Sequence, residues 1–164
     1  MPETKVKPEP LPMKEAISFW KDKVPLASKE FAALSDELKI HAFIVSGIKD
    51  LDILQDLNKS IQKALEDGVS LKAWKKEFKD LWEKKGWTGK KAWRVDNIFR
   101  TNVQTAYATG RYKQMKEVTL LRPYWKYSAV GDRRTRPTHA ALHGKVFRHD
   151  NPFWNTWYPP NGFG

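Results

Sequence analysis

The residues best able to do chemistry stand together between Arg133 and Gly144, in the run Arg-Arg-Thr-Arg-Pro-Thr-His-Ala-Ala-Leu-His-Gly. Three guanidinium groups, on Arg133, Arg134 and Arg136, and two imidazoles, on His139 and His143, follow the turn residues Gly131-Asp132. Such side chains are costly in an apolar interior, so the segment is expected at a surface or lining a cleft. Two chemistries fit it. Arginine forks suit phosphate or carboxylate, and two histidines four residues apart can share a metal ion.

Asp132 takes part in either reading. In the simpler one its carboxylate caps the following turn and pairs with a nearby arginine, which shapes the loop and lowers the acid's pKa. In the sharper one Asp132 with His139 or His143 forms a metal-dependent nuclease site, the arginines holding the phosphate. The simpler reading is favoured, because such an enzyme needs more carboxylates and the second half offers only Asp96, Glu117, Asp132 and Asp150. No nucleophile-base pair, glycine-rich phosphate loop or dinucleotide fingerprint accompanies them.

The charge distribution points the same way. Residues 1–83 hold 14 Lys against 15 Asp or Glu, a net of −1, whereas residues 84–164 hold 16 Lys or Arg against 4 acids, a net of +12. All eight arginines lie in the second half, so nucleic acid or an acidic protein surface is the expected partner. There is no cysteine, which excludes disulfides and thiolate metal sites within these residues. No run of eighteen apolar residues and no secretory leader is present, so the expectation is a soluble, intracellular protein that engages no membrane.

The elements that must position this segment are mainly helical. Residues 1–12, with four prolines, are expected to be a disordered arm. A helix is predicted from Met13 to Lys23, with Ala16, Phe19 and Trp20 on one face and Val24-Pro25 ending it. Ser28 and Ser35 are each expected to cap a short helix, the second running to Gly47 with His41 on its apolar side. Leu51, Leu54, Leu57, Ile61 and Leu65 predict a helix capped by Asp50 and stopped by Gly68. Ser70 opens another, with Leu71, Trp74, Phe78 and Leu81 inward and Trp82 thickening the stripe as far as Gly86, and the short loop predicts an antiparallel pair.

Thr88 is expected to cap the longest helix, from about Gly89 to about Val118, with Val95, Phe99, Val103, Ala106 and Gly110 facing inward. Gly110 in that row implies the close approach of another backbone. Arg100, Gln104, Tyr107 and Arg111 form a polar stripe round its side. Tyr124 to Val130 alternates as a strand, a helix start lies at Thr135 to Thr138 with His139 and His143 on one face, and Lys145-Val146-Phe147 returns as a second strand. The aromatic tail from Asp150 to Gly162 reads as loop packed over this sheet. His149 and His41 are expected to be structural.

Three segments in order, Ile98 to Arg111 (Ile-Phe-Arg-Thr-Asn-Val-Gln-Thr-Ala-Tyr-Ala-Thr-Gly-Arg), Asp132 to Gly144, and Pro152-Phe153-Trp154 with Tyr158-Pro159-Pro160-Asn161-Gly162, closely resemble the phage Mu F-like head morphogenesis domain. Ala42 to Gly47 and Gly86-Trp87-Thr88-Gly89 are similar to what precedes that signature. The resemblance covers most of the chain and makes Asn102, Tyr107, Asp132, His139, His143 and Gly144 its structural signature. It implies a minor head protein of a phage or prophage that acts in procapsid assembly, in the bacterial cytoplasm and then the virion head. Its implied partners are the portal and other head proteins, with double-stranded DNA in some members.

In that family the Pro-Pro-Asn-Gly segment is typically followed by a Cys-x-Cys pair. This chain ends at Gly164, just before that place, so the expectation is that the full-length protein continues. Two thiolates there could join His139 and His143 on zinc, whereas no cofactor is expected for this chain itself. The family also suggests a packaging module of a longer phage-borne toxin as an alternative. The expectation carried forward is an α+β protein, mainly α, with a helical subdomain over 13–87, and a long helix plus a small β-hairpin unit over 88–164. Arg100, Arg111, Arg133, Arg134 and Arg136 are its candidate binding residues, and no residue is assigned a catalytic role.

Overall fold

The computed structural model describes residues 13–158. The arm expected over 1–12 and the Pro-Pro-Asn-Gly segment lie outside them. The chain divides into two units, one ending at Gly110 and the other beginning at Arg111. Helices dominate, joined by two small two-stranded sheets.

The first unit begins with α1 (Lys14–Lys21), which buries Ala16 and Trp20. Val24–Pro25 does more than end that helix: as β1 it pairs in parallel with β2 (Ala42–Phe43), Val24 opposite Ala42. The lysine stem of Lys23 crosses this junction, its Nζ donating to the carbonyls of Ile40 at 2.7 Å and Ala42 at 3.3 Å. Burial lowers the pKa of that ammonium.

Between the strands lie α2 (Ser28–Ala32) and α3 (Asp36–Lys39). Ser28 is the first residue of α2 and not its cap; the Ala27 N–H is held instead by the Glu30 carboxylate at 3.0 Å. The helix expected to reach Gly47 stops at Lys39, so His41 sits exposed in a turn. Gly47 has a different reason: its φ is +89°, and a Cβ there would come within 3.1 Å of the Trp87 ring.

α4 (Leu51–Asp67) is bounded as its local chemistry demands. Asp50 accepts from the N–H groups of Asp52 and Ile53, and Gly68 closes the helix in the left-handed region at φ 70°. Leu54, Leu57, Ile61, Ala64 and Leu65 are buried, each leucine or isoleucine contributing roughly 1.5–3 kcal/mol of apolar transfer. Ser70 then accepts from Ala73 N–H to start α5 (Leu71–Glu77).

The single helix expected up to Gly86 is broken at Phe78, where ψ is 24°, before α6 (Lys79–Lys84) resumes. Both halves thereby turn a tryptophan inward, Trp74 and Trp82, whose rings meet at 5.4 Å. Trp74 Nε1 donates to Ser60 Oγ at 2.8 Å and fastens α5 to α4. The Ser60 hydroxyl itself donates to Leu57 O at 2.7 Å, and the buried indole N–H, left without this acceptor, would carry a desolvation cost of about 1–3 kcal/mol.

A 3-10 turn at Gly89–Lys91 leads into α7 (Trp93–Glu117); Thr88 precedes that turn without a side-chain cap bond. The inward row is as expected, with Val95, Phe99, Ala106 and Gly110 buried. A Cβ on Gly110 would lie 2.7 Å from the backbone nitrogen of Ala16. The backbone of α1 therefore rests on the glycine.

In the second unit β3 (Tyr124–Lys126) pairs antiparallel with β4 (Val146–Arg148). The strand expected to run to Val130 loses its ladder after Lys126, although the alternation continues, with Trp125 and Tyr127 buried between exposed neighbours. α8 (Pro137–Leu142) lies between the strands. The segment expected as loop after β4 contains α9 (Phe153–Trp157). Its Trp154 Nε1 donates to Arg148 O at 3.0 Å, and Trp125, Tyr127 and Trp154 form a separate aromatic core.

Candidate functional site

The loop and short helix between the two strands carry the candidate residues. Asp132 shapes the loop: Oδ1 accepts from Arg134 N–H at 3.0 Å and from the Thr135 hydroxyl at 3.1 Å. Those hydrogen bonds, Thr135 first, hold its carboxyl below the usual range. The Arg134 Nε lies 3.7 Å from Oδ2, an exposed pair of small energetic value.

Arg133 and Arg136 are exposed, and neither has an ion-pair partner among the described residues. Arg136 stands immediately before Pro137, which opens α8 at its first position. Of the five candidate arginines, Arg133, Arg134, Arg136 and Arg111 belong to the second unit. Arg100 belongs to the first and is exposed on α7. Arg111 acts electrostatically on the Tyr158 phenol.

The two histidines do not share a helical face. α8 ends at Leu142, and His143 has left the helix with ψ 130°. Its Nδ1 accepts from the Ala129 N–H at 3.2 Å, which places the proton of the neutral ring on Nε2. His139 Nδ1 lies 2.6 Å from the Tyr127 hydroxyl. Burial raises the Tyr127 pKa and keeps the phenol protonated.

His139 is also walled by rings, stacked on Tyr127 at 6.2 Å and edge-on to Trp157 at 5.6 Å. His139 thus ties α8 to the segment after β3, and His143, just past the helix, accepts from the Ala129 backbone of that segment. Among the described residues no group of three or more His, Cys, Asp or Glu is placed to hold a metal ion. The donors present do not by themselves fit a zinc site.

Of the remaining signature residues, Asn102 and Gly144 act on the backbone and Tyr107 does not. Asn102 Nδ2 donates to Ile98 O at 2.7 Å within α7, and Tyr107 is 40% exposed on the same helix. Gly144 adopts φ 82° and donates to Tyr127 O at 2.9 Å, so the turn that releases His143 also opens the strand ladder.

Sequence reasoning missed Tyr127 as the partner of His139, since nothing in their spacing announces it. It also missed how far the apolar side chains of this unit reach into solvent. Leu120 is 96% and Leu121 86% exposed, and Tyr124 and Val146 stand outward on the sheet between Lys126 and Arg148. The adjacent leucines, falling outside any helical or strand period, were the signal available.

The class these features define is a mainly helical protein whose second unit packs one face of a two-stranded sheet against an aromatic helix and carries a cationic loop at its surface. Residues 55–164 match the family described as Phage Mu protein F like protein, and the chain belongs to that family. It is 33% identical over 169 residues to "Putative capsid assembly protein F" of Escherichia phage Mu, covering 93% of this chain and 38% of that protein. It is 36% identical over 135 residues to "Mu-like prophage FluMu F protein" of Haemophilus influenzae, covering 75% of this chain and 33% of the relative. The chain thus spans about a third of the length of these relatives. No solved structure matches it.

Proposed function

We propose that this chain is a non-enzymatic head-assembly module of a phage or prophage, whose second unit docks on an acidic face of another head protein, the portal foremost. The observation that carries this reading is the pairing of uncompensated cations with exposed apolar side chains in one unit. Arg133 and Arg136 keep their charge available because Asp132 is occupied with the loop and with Arg134. Leu120, Leu121, Tyr124 and Val146 add surface that gains free energy only by burial against another apolar surface.

Family membership supports the reading, since a relative bears the name of a capsid assembly protein. Assembly would then take place in the bacterial cytoplasm and end in the virion head. Double-stranded DNA is the second reading, favoured by arginine's fit to phosphate; exposed leucines contribute nothing to it. The test is co-purification of the full-length protein with its neighbouring portal protein. Changing Arg133, Arg134 and Arg136 together to Ala should abolish recovery of the portal. Undiminished recovery would remove the proposal, and loss of DNA retention alone would favour the second reading.

A further inference from the structure

A second cationic surface lies in the first unit, in a segment to which the head-assembly reading gives no role. Between Lys84 and Val95 the sequence Lys-Lys-Gly-Trp-Thr-Gly-Lys-Lys-Ala-Trp-Arg contains five cations and no acid. Its geometry is that of a ladder. The Trp87 ring stacks on buried Trp82 with centroids 6.0 Å apart and planes 12° from parallel. The Arg94 guanidinium lies 4.8 Å from the centre of the Trp87 ring and 5.9 Å from that of Trp93. Trp93 is 58% exposed, the least covered tryptophan among the described residues.

Two carbonyl contacts fix the ladder in place. Arg94 donates to Ser46 O at 3.2 Å, and Lys85 Nζ lies 3.5 Å from the neighbouring carbonyl of Gly47. Gly47 is what lets Trp87 approach, since any Cβ there would meet the ring. Lys90 and Lys91 are exposed on the 3-10 turn between Trp87 and Trp93. Among the described residues none of Lys84, Lys85, Lys90, Lys91 or Arg94 is paired with a carboxylate. The two carboxylates nearest in sequence, Glu83 and Asp96, are taken by Lys79 and Lys75.

We propose that this ladder is a binding site for single-stranded nucleic acid, in which an unpaired base stacks on Trp93 while Lys90 and Lys91 contact the flanking phosphates. The chemistry selects that ligand. A rigid aromatic face held by a guanidinium is a stacking platform, and every base offers it a π-face. Lysines supply the point charges that a flexible phosphate backbone needs without dictating sequence. A duplex hides its bases and can use only the charges. An acidic peptide could likewise use the charges but has no ring to place on Trp93.

The experiment is fluorescence anisotropy of a labelled oligothymidylate titrated with the full-length protein, compared with the same length of duplex and with polyglutamate as competitor. Trp93→Ala should weaken oligothymidylate binding about tenfold or more and leave duplex binding unchanged, with Trp93→Phe restoring most of it. Replacing Lys90 and Lys91 by Ala should flatten the salt dependence by roughly 0.7 per lost phosphate contact. In the Arg133, Arg134 and Arg136 triple variant the loss caused by Trp93→Ala should persist undiminished, which separates this site from the head-protein surface. Equal binding by Trp93→Ala and the parent, or equal loss for duplex and single strand, would overturn the proposal. So would competition by polyglutamate as effective as that of the oligonucleotide, which would assign the surface to acidic protein.

Discussion

A Cβ on Gly110 of the long helix would stand 2.7 Å from the backbone nitrogen of Ala16. Gly110→Ala brings two opposed effects. Helix propensity would gain about 1 kcal/mol, whereas overpacking against a backbone that cannot rotate aside costs roughly 1–3 kcal/mol. The clash wins. The expected outcome is a net loss of up to about 2 kcal/mol, read as a lowered urea midpoint with an unchanged slope.

Tyr127 and His139 form the strut that holds α8 to the strand segment. Tyr127→Phe keeps the ring packing but leaves a half-buried imidazole nitrogen without its partner, at a cost of about 1–2 kcal/mol. His143→Ala should cost less, because the Ala129 N–H that it satisfies is exposed and can turn to water. Thermal unfolding followed in the near-ultraviolet would rank the two, and the reverse order would show that His139 is not the strut described.

Alkali should loosen the second unit before the first. Burial pushes the Tyr158 phenol up to about 12 from an ordinary 10.0 and raises Tyr127 in the same direction. A folded-state pKa above the unfolded one means that the folded form holds the proton more tightly. The associated stability is complete below the unfolded value and is lost as pH rises through the folded one. A pH titration followed by circular dichroism should show the aromatic signal falling between about pH 10 and 12, and Tyr158→Phe should shift that loss upward. At the acid end Asp132 has a lowered pKa, so its contribution to loop order is present above its ordinary pKa and fades as pH falls through the folded value.

Helix caps offer a sharper comparison. Asp50→Ala and Ser70→Ala should each cost about 1 kcal/mol, because both side chains accept from the first turn of a helix. Ser35→Ala and Thr88→Ala should cost next to nothing, since neither side chain makes a cap bond. Equal losses at all four positions would mean that position, and not the hydrogen bond, carries the effect.

Much of the fold was legible in the chain's local chemistry. The apolar rows of α4 and α7, the Asp50 and Ser70 caps, the Gly68 stop and the hairpin strands all depend on neighbours within a few residues, and a helix or strand repeats that relation along its length. Gly110 was readable for the same reason: a glycine on a buried row has few uses other than close approach. The family signature was readable too, because its residues are contiguous in three blocks.

What escaped the sequence were relations between distant residues. Val24-Pro25 became a strand because Ala42-Phe43 arrives beside it, and the helix expected through His41 gave way to that pairing. The helix after Ser70 broke at Phe78, although Trp74 and Trp82 kept the shared inward side that their spacing predicts. Periodicity brought His139 and His143 together on one face, but the tertiary structure gave each a different partner, Tyr127 and Ala129, and ended α8 between them. The order of charges along the chain determined that the later half would be basic. Only packing decided which charges remained available, because an ion pair or a stacked guanidinium depends on where the fold places its counterpart.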